Sequence, residues 1–232
     1  MKKSYTIHNG LTRRQTIQGF AYLAFQLLLL PSILTWSNGL LSRPLTMAQL
    51  NFGFYFINFM AMLLIFHSFL GENARQVGRH PAYFCQAVVL GLAAYYACNL
   101  LTGWVIRQLA PGFANYNDQA IAALEQEGFF LTVIGTVILV PPVEECFFRG
   151  LIFQNLYKKS PWAAYAVSIL AFAMIHILGY LGQYTPLEVV MAVLQYLPAG
   201  LCLAWSYAKA DTIFAPIVIH AAVNAVSIGL LR

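Results

Sequence analysis

Two adjacent glutamates, Glu144 and Glu145, sit inside an apolar stretch reading Val-Pro-Pro-Val-Glu-Glu-Cys-Phe-Phe-Arg-Gly. The chain holds only eight acidic residues, so a pair in such a segment stands out. Ionisable groups at membrane depth are costly and mark function by default. Arg149 follows Glu145 at i+4, one helical turn away, where the two can pair. Pairing offsets both charges in surroundings where an isolated ion is very costly. Glu144 points about 100° away on a helix of 3.6 residues per turn, which leaves it as the carboxylate free for chemistry. Two later apolar stretches each carry one histidine, His176 and His220. Asn224 shares a helix face with His220 at i+4, and an imidazole N–H beside an amide is what a developing oxyanion needs. Phe172 precedes His176 by one turn, placed to pack beside its ring and limit water. Together these residues could supply a base, a second proton carrier or ligand, and an oxyanion cradle.

The elements that must position them are membrane-spanning helices. Of the 232 residues, 60% are hydrophobic and only 9% charged, against about 25% charged in soluble domains. A span needs about 20 mainly apolar residues, and such stretches run near 17–38, 49–70, 83–107, 128–157, 161–182, 187–207 and 212–231. The expected fold is therefore an all-α polytopic transmembrane helical bundle of about seven spans. Residues 128–157 exceed one simple crossing, and Pro141-Pro142 is expected to kink or split them. Residues 1–110 read as N-terminal packing helices and a substrate gate, and 111–232 as the catalytic core. Residues 111–127 read as a long polar loop, with a short surface helix over 117–127.

The net charge of +5 does not point to nucleic acid, because the basic residues fall between apolar segments. With the N-terminus cytoplasmic, the inner segments collect Lys2, Lys3, Arg13, Arg14, Arg75, Arg79, Lys158, Lys159 and Lys209, which is the positive-inside pattern. Outer segments keep Arg43, Arg107 and Arg232, together with Asp118, Glu125 and Glu127. No A-x-A-like site ends the first apolar run, so it reads as an uncleaved span. The four cysteines show no CxxC spacing and behave as small hydrophobes.

Depth supports a shared site. At ~1.5 Å per helical residue, Glu144 lies about 21 Å from Lys158, His176 about 24 Å from Ser160, and His220 about 17 Å from Lys209. Three segments thus place an acid or a histidine near the bilayer middle. The blander readings are a structural ion pair for Glu145–Arg149 and a helix-packing role for His67. Asn224 alone could also be helix glue.

Glu144-Glu145-x-x-x-Arg149, Phe172-x-x-x-His176 and His220-x-x-x-Asn224, in that order, resemble the motifs of the CPBP family. These are the CAAX-protease and bacteriocin-processing membrane peptidases, also called the Abi family. The resemblance implies an intramembrane endopeptidase in which Glu144 activates water with His176 as partner. His220 and Asn224 would stabilise the oxyanion, while Glu145 and Arg149 hold the helix. It implies either a metalloprotease or a metal-free glutamate mechanism. Glu144, His176 and His220 could hold zinc, yet the chain has no HExxH and no evident acid to support a histidine ligand.

The expected partners are the lipid bilayer and a membrane protein, a lipidated tail or a leader peptide. Cleavage is expected near the cytoplasmic side of the plasma membrane. An aspartyl dyad is missing, since Asp118 and Asp211 fall outside the spans. No Gly-x-Ser lies in an apolar segment, which argues against a serine protease. Two other functions compete: a non-enzymatic immunity or interaction protein of the same family, and a proton-coupled carrier, for which no internal repeat is found.

Overall fold

The computed structural model describes residues 7–8 and 10–230. Lys2, Lys3 and Arg232, counted above for orientation, lie outside them. Ten α-helices follow in order: α1 (Arg13–Leu28), α2 (Leu30–Gly39), α3 (Met47–Arg79), α4 (Pro81–Leu109), α5 (Tyr116–Val133), α6 (Val140–Glu145), α7 (Gln154–Tyr157), α8 (Pro161–Ile177), α9 (Pro186–Ala210) and α10 (Phe214–Leu230). Two π-helical turns, Ile134–Leu139 and Cys146–Phe153, join α5 to α6 and α6 to α7. Residues 116–157 are therefore one 42-residue helical run. Among the described residues there is no strand, so the all-α reading holds.

Among the described residues five helical runs are long and apolar enough to cross a membrane, and α1 with α2, bent by 45°, would make a sixth if the pair is one span. Helix α10 is apolar but shorter. The bend falls at Leu29, two residues before Pro31. Proline lacks an N–H and its ring opposes the carbonyl four residues back, here Leu27, which breaks the ladder.

The kink in the long run is not where the sequence places it. Residues 139–145 pass Pro141 and Pro142 without a break, whereas Gly128 leaves helical conformation at φ −159°, ψ 70°. A Cβ at Gly128 would lie 2.8 Å from the Ala48 Cβ, so glycine also allows α3 and α5 to approach there. The prolines are absorbed by the wider turn before them, where Val140 N–H reaches back to Gly135 O. The expected loop over 111–127 shrinks to 110–115, because Asn115 Oδ1 caps α5 by accepting from Asn117 N and Asp118 N.

The core runs along this helical run. Phe66, Phe69, Phe147, Leu151, Phe153 and Tyr207 are fully or almost fully buried in one cluster. Phe148, Phe172, Leu203 and Ile219 form a second cluster beside the two histidines. Close glycine contacts set the spacing: a Cβ at Gly200 of α9 would lie 3.2 Å from the Ile169 Cα of α8.

Candidate active site

Glu144 and Glu145 lie at the end of α6, between the two π turns, and face different ways. Glu145 turns inward with both its side chain and that of Arg149 fully buried. Arg149 Nη1 donates to Glu145 Oε1 at 3.0 Å, and Nη2 donates to Gly200 O at 3.1 Å. The guanidinium carbon also sits 4.4 Å above the Phe172 ring. One carbonyl, one carboxylate and one ring face thus hold a buried cation, which is how such a charge is tolerated.

Glu145 does more than pair with arginine. Its Oε1 lies 2.8 Å from His220 Nδ1. The acid that the sequence did not reveal as a histidine partner is this one. Its contact depends on how α10 lies against α6, which no spacing within one helix discloses.

The histidine orientations follow from their partners. His176 Nδ1 is 2.7 Å from Phe172 O. A carbonyl only accepts, so Nδ1 carries the hydrogen and Nε2 faces the cavity as an acceptor. An ionised Glu145 imposes the same Nδ1–H on His220. Both Nε2 atoms lie 3.8 Å from Glu144 Oε2. The His176 ring is clamped between Phe172 at 4.7 Å and Tyr196 at 4.4 Å, the latter stacked at 26°. Phe172 also meets His220 edge-on at 5.7 Å.

Asn224 Nδ2 donates to Thr136 O at 2.8 Å. That carbonyl is free for a simple reason. In the π turn Val140 N–H is taken by Gly135, and the next residue, Pro141, has no N–H to give. The π turn and Pro141 together therefore leave free the acceptor that orients Asn224.

Glu144, His176, His220, Asn224 and Phe172 all line one cavity of about 360 Å³. Glu144 and Tyr55 also border a second cavity of about 260 Å³, lined mainly by apolar side chains such as Leu27, Phe54 and Phe147. Further polar residues line the larger cavity: Tyr55, Tyr95, Asn99, Asn117, Asp118, Gln195 and Tyr196. Sequence reading missed these. Gln195-Tyr196 and Asn99 are polar residues inside apolar spans, a signal that was present. Asp118, expected on a short surface helix outside the spans, lies in the first turn of α5 and accepts from Gln195 Nε2 at 3.0 Å. His67 sits apart, exposed, with Nδ1 3.2 Å from Leu64 O.

Residues 126–226 match the family model described as type II CAAX prenyl endopeptidase, Rce1-like. Over that stretch the chain is similar to the Rce1-like family. The matched stretch contains every motif on which the resemblance above rests, and its partners α3 and α4 come from outside it. The matched family is one of prenyl endopeptidases, and the long apolar helices here suit a multi-pass membrane protein. No curated protein and no solved structure matches the chain.

The zinc expectation can be tested on the donors. Among the described residues no three His, Cys, Asp or Glu side chains are arranged to hold a metal ion. The 3.8 Å separations around Glu144 exceed the roughly 3.3 Å between neighbouring ligands of a tetrahedral zinc. As arranged, the donors around Glu144 do not fit zinc.

Proposed function

We propose that the chain is an intramembrane endopeptidase that cleaves a membrane-associated polypeptide by glutamate-activated water. The observation that carries this reading is Glu144 Oε2 standing 3.8 Å from the Nε2 atoms of both histidines. That gap is too long for a direct hydrogen bond and suits one water touching carboxylate and imidazole together. Glu144 takes a proton as the water oxygen attacks the peptide carbonyl. When the C–N bond breaks, that proton passes to the leaving amine with His176 Nε2 as relay, and Glu144 is again a carboxylate.

The oxyanion is held by His220 and Asn224. His220 Nδ1–H is committed to Glu145, so its Nε2 donates to an oxyanion in the imidazolium form. Asn224 keeps its second amide N–H for the same oxygen. The matched family supports a CAAX-type substrate, whose tail is prenylated, and a leader peptide fits the same chemistry. A plasma-membrane location with a cytoplasmic N-terminus belongs to the same reading, and the gathering of basic residues between apolar segments supports the orientation.

The test is cleavage by purified wild type and Glu144→Gln in detergent, with and without a chelator. Membrane-tethered and CAAX-like peptides are offered and products read by mass. Wild-type cleavage that resists the chelator and disappears in Glu144→Gln is the expected result. A fully active Glu144→Gln protein would overturn the assignment of the base.

A further inference from the structure

Contacts between helix ends sort the bundle into two ends. At one, Asp211 after α9 accepts from His8 N at 2.8 Å and from Gln76 Nε2 of α3 at 3.0 Å. Asn73 of α3 also accepts from Ile213 N, just before α10. A Cβ at Gly10 would lie 3.1 Å from Lys158 Nζ, so the start of α1 and the end of α7 share this end too. At the opposite end, Glu127 accepts from Met47 N and Ala48 N at the start of α3. There Asn115 donates to Gln195 and Tyr196 of α9, and Tyr184 Oη accepts from Tyr116 N.

The two ends differ sharply in charge. The first carries Arg13, Arg14, Arg75, Arg79, Lys158, Lys159 and Lys209, against Glu72 and Asp211. The second carries Arg43 and Arg107, against Asp118, Glu125, Glu127 and Glu188. Lysine and arginine gather on the cytoplasmic side of membrane proteins.

The cavity belongs to the second end. Asn117 and Asp118 lie in the first turn of α5, His176 in the last turn of α8 and Ile228 in the last turn of α10. None of the basic residues of the first end lines it. We propose that the cavity opens on the non-cytoplasmic side of the membrane. Its substrate is then a polypeptide segment displayed on that side, such as the juxtamembrane stretch of a translocated protein. Of the substrates left open above, this sets aside a prenylated tail that stays in the cytoplasm and keeps a segment that reaches the far side. This reverses the cytoplasmic side expected from the sequence. The word substrate rests on the endopeptidase reading, but the sidedness does not.

Cysteine labelling tests it without any need for cleavage. Gly112 lies in the loop at the cavity end and Gly78 near the end of α3, and a Cβ at either meets no atom within 4 Å. Gly112→Cys and Gly78→Cys are therefore expected to fold. A membrane-impermeant maleimide is applied to right-side-out and inverted vesicles, and adducts are located by mass so that native cysteines can stay. Modification of Gly112→Cys in right-side-out vesicles and of Gly78→Cys in inverted ones is the expected pattern. The reverse pattern overturns the proposal. In parallel, an impermeant peptide cleaved by wild type in detergent is offered to both vesicles. Cleavage confined to right-side-out vesicles supports the proposal, and cleavage confined to inverted ones overturns it. Should no peptide be cleaved even in detergent, the endopeptidase reading falls while the labelling still decides the side.

Discussion

Glu145 separates two roles that its neighbour Glu144 does not share. Its Oε1 takes both Arg149 Nη1 and His220 Nδ1, so it binds the cation of the core to the ring of the site. Removing one member of a buried ion pair costs about 3–5 kcal/mol, because the other charge is stranded. Arg149→Leu is expected to lower thermal stability in detergent by about that amount. Replacing both partners, as in Glu145→Leu with Arg149→Leu, should restore much of the stability. It should not restore cleavage, since His220 has then lost the acceptor that orients it. Thermal unfolding and peptide cleavage measured on the same preparations check both statements. At this scale the i, i+4 pairs were legible, because helix geometry alone sets them. The Glu145–His220 contact and the Tyr196 stack on His176 were not, because each depends on two helices meeting.

The helices read well as apolar runs and poorly at their bends. Hydropathy locates the spans because the bilayer sets their length. It does not reveal that a π turn absorbs Pro141 and Pro142, or that Gly128 takes the kink instead. Helix spacing gives a contrast that can be measured. A Cβ at Gly200 would meet Ile169 Cγ2 at 2.9 Å and the Ile169 Cα at 3.2 Å, and backbone cannot step aside. A Cβ at Gly91 would meet only the Ile219 Cδ1 within 3 Å, the far end of a flexible chain. Gly200→Ala should cost about 1–3 kcal/mol by overpacking and weaken cleavage as well, because Gly200 O holds Arg149. Gly91→Ala should cost less. Equal melting temperatures for the two variants would contradict this ordering.

Across the whole molecule, the N-terminal segment is tied to the far end of the chain. Asp211 lies in the left-handed region at φ 53° and accepts from His8 and Gln76. Asp211→Ala should release residues 7 and 8 to limited proteolysis, while Asp211→Asn, which tolerates that backbone and still accepts, should protect them far better. Nothing in the sequence pairs residue 8 with residue 211, because that contact exists only once the bundle closes. The seating of the cavity at one end was likewise out of reach, although the charge bias that gives it meaning was plain. The π turn ahead of Val140 has a genetic side as well. Such a turn is an α-helix holding a surplus residue, so the gene carries one codon between Gly135 and Val140 that mere span length does not require. Deleting Val137 should let the ladder close as an ordinary helix and rotate Thr136 by about 100° relative to Glu144. The shortened protein is expected to insert at normal levels and cleave nothing, so this codon would be kept by selection on chemistry alone.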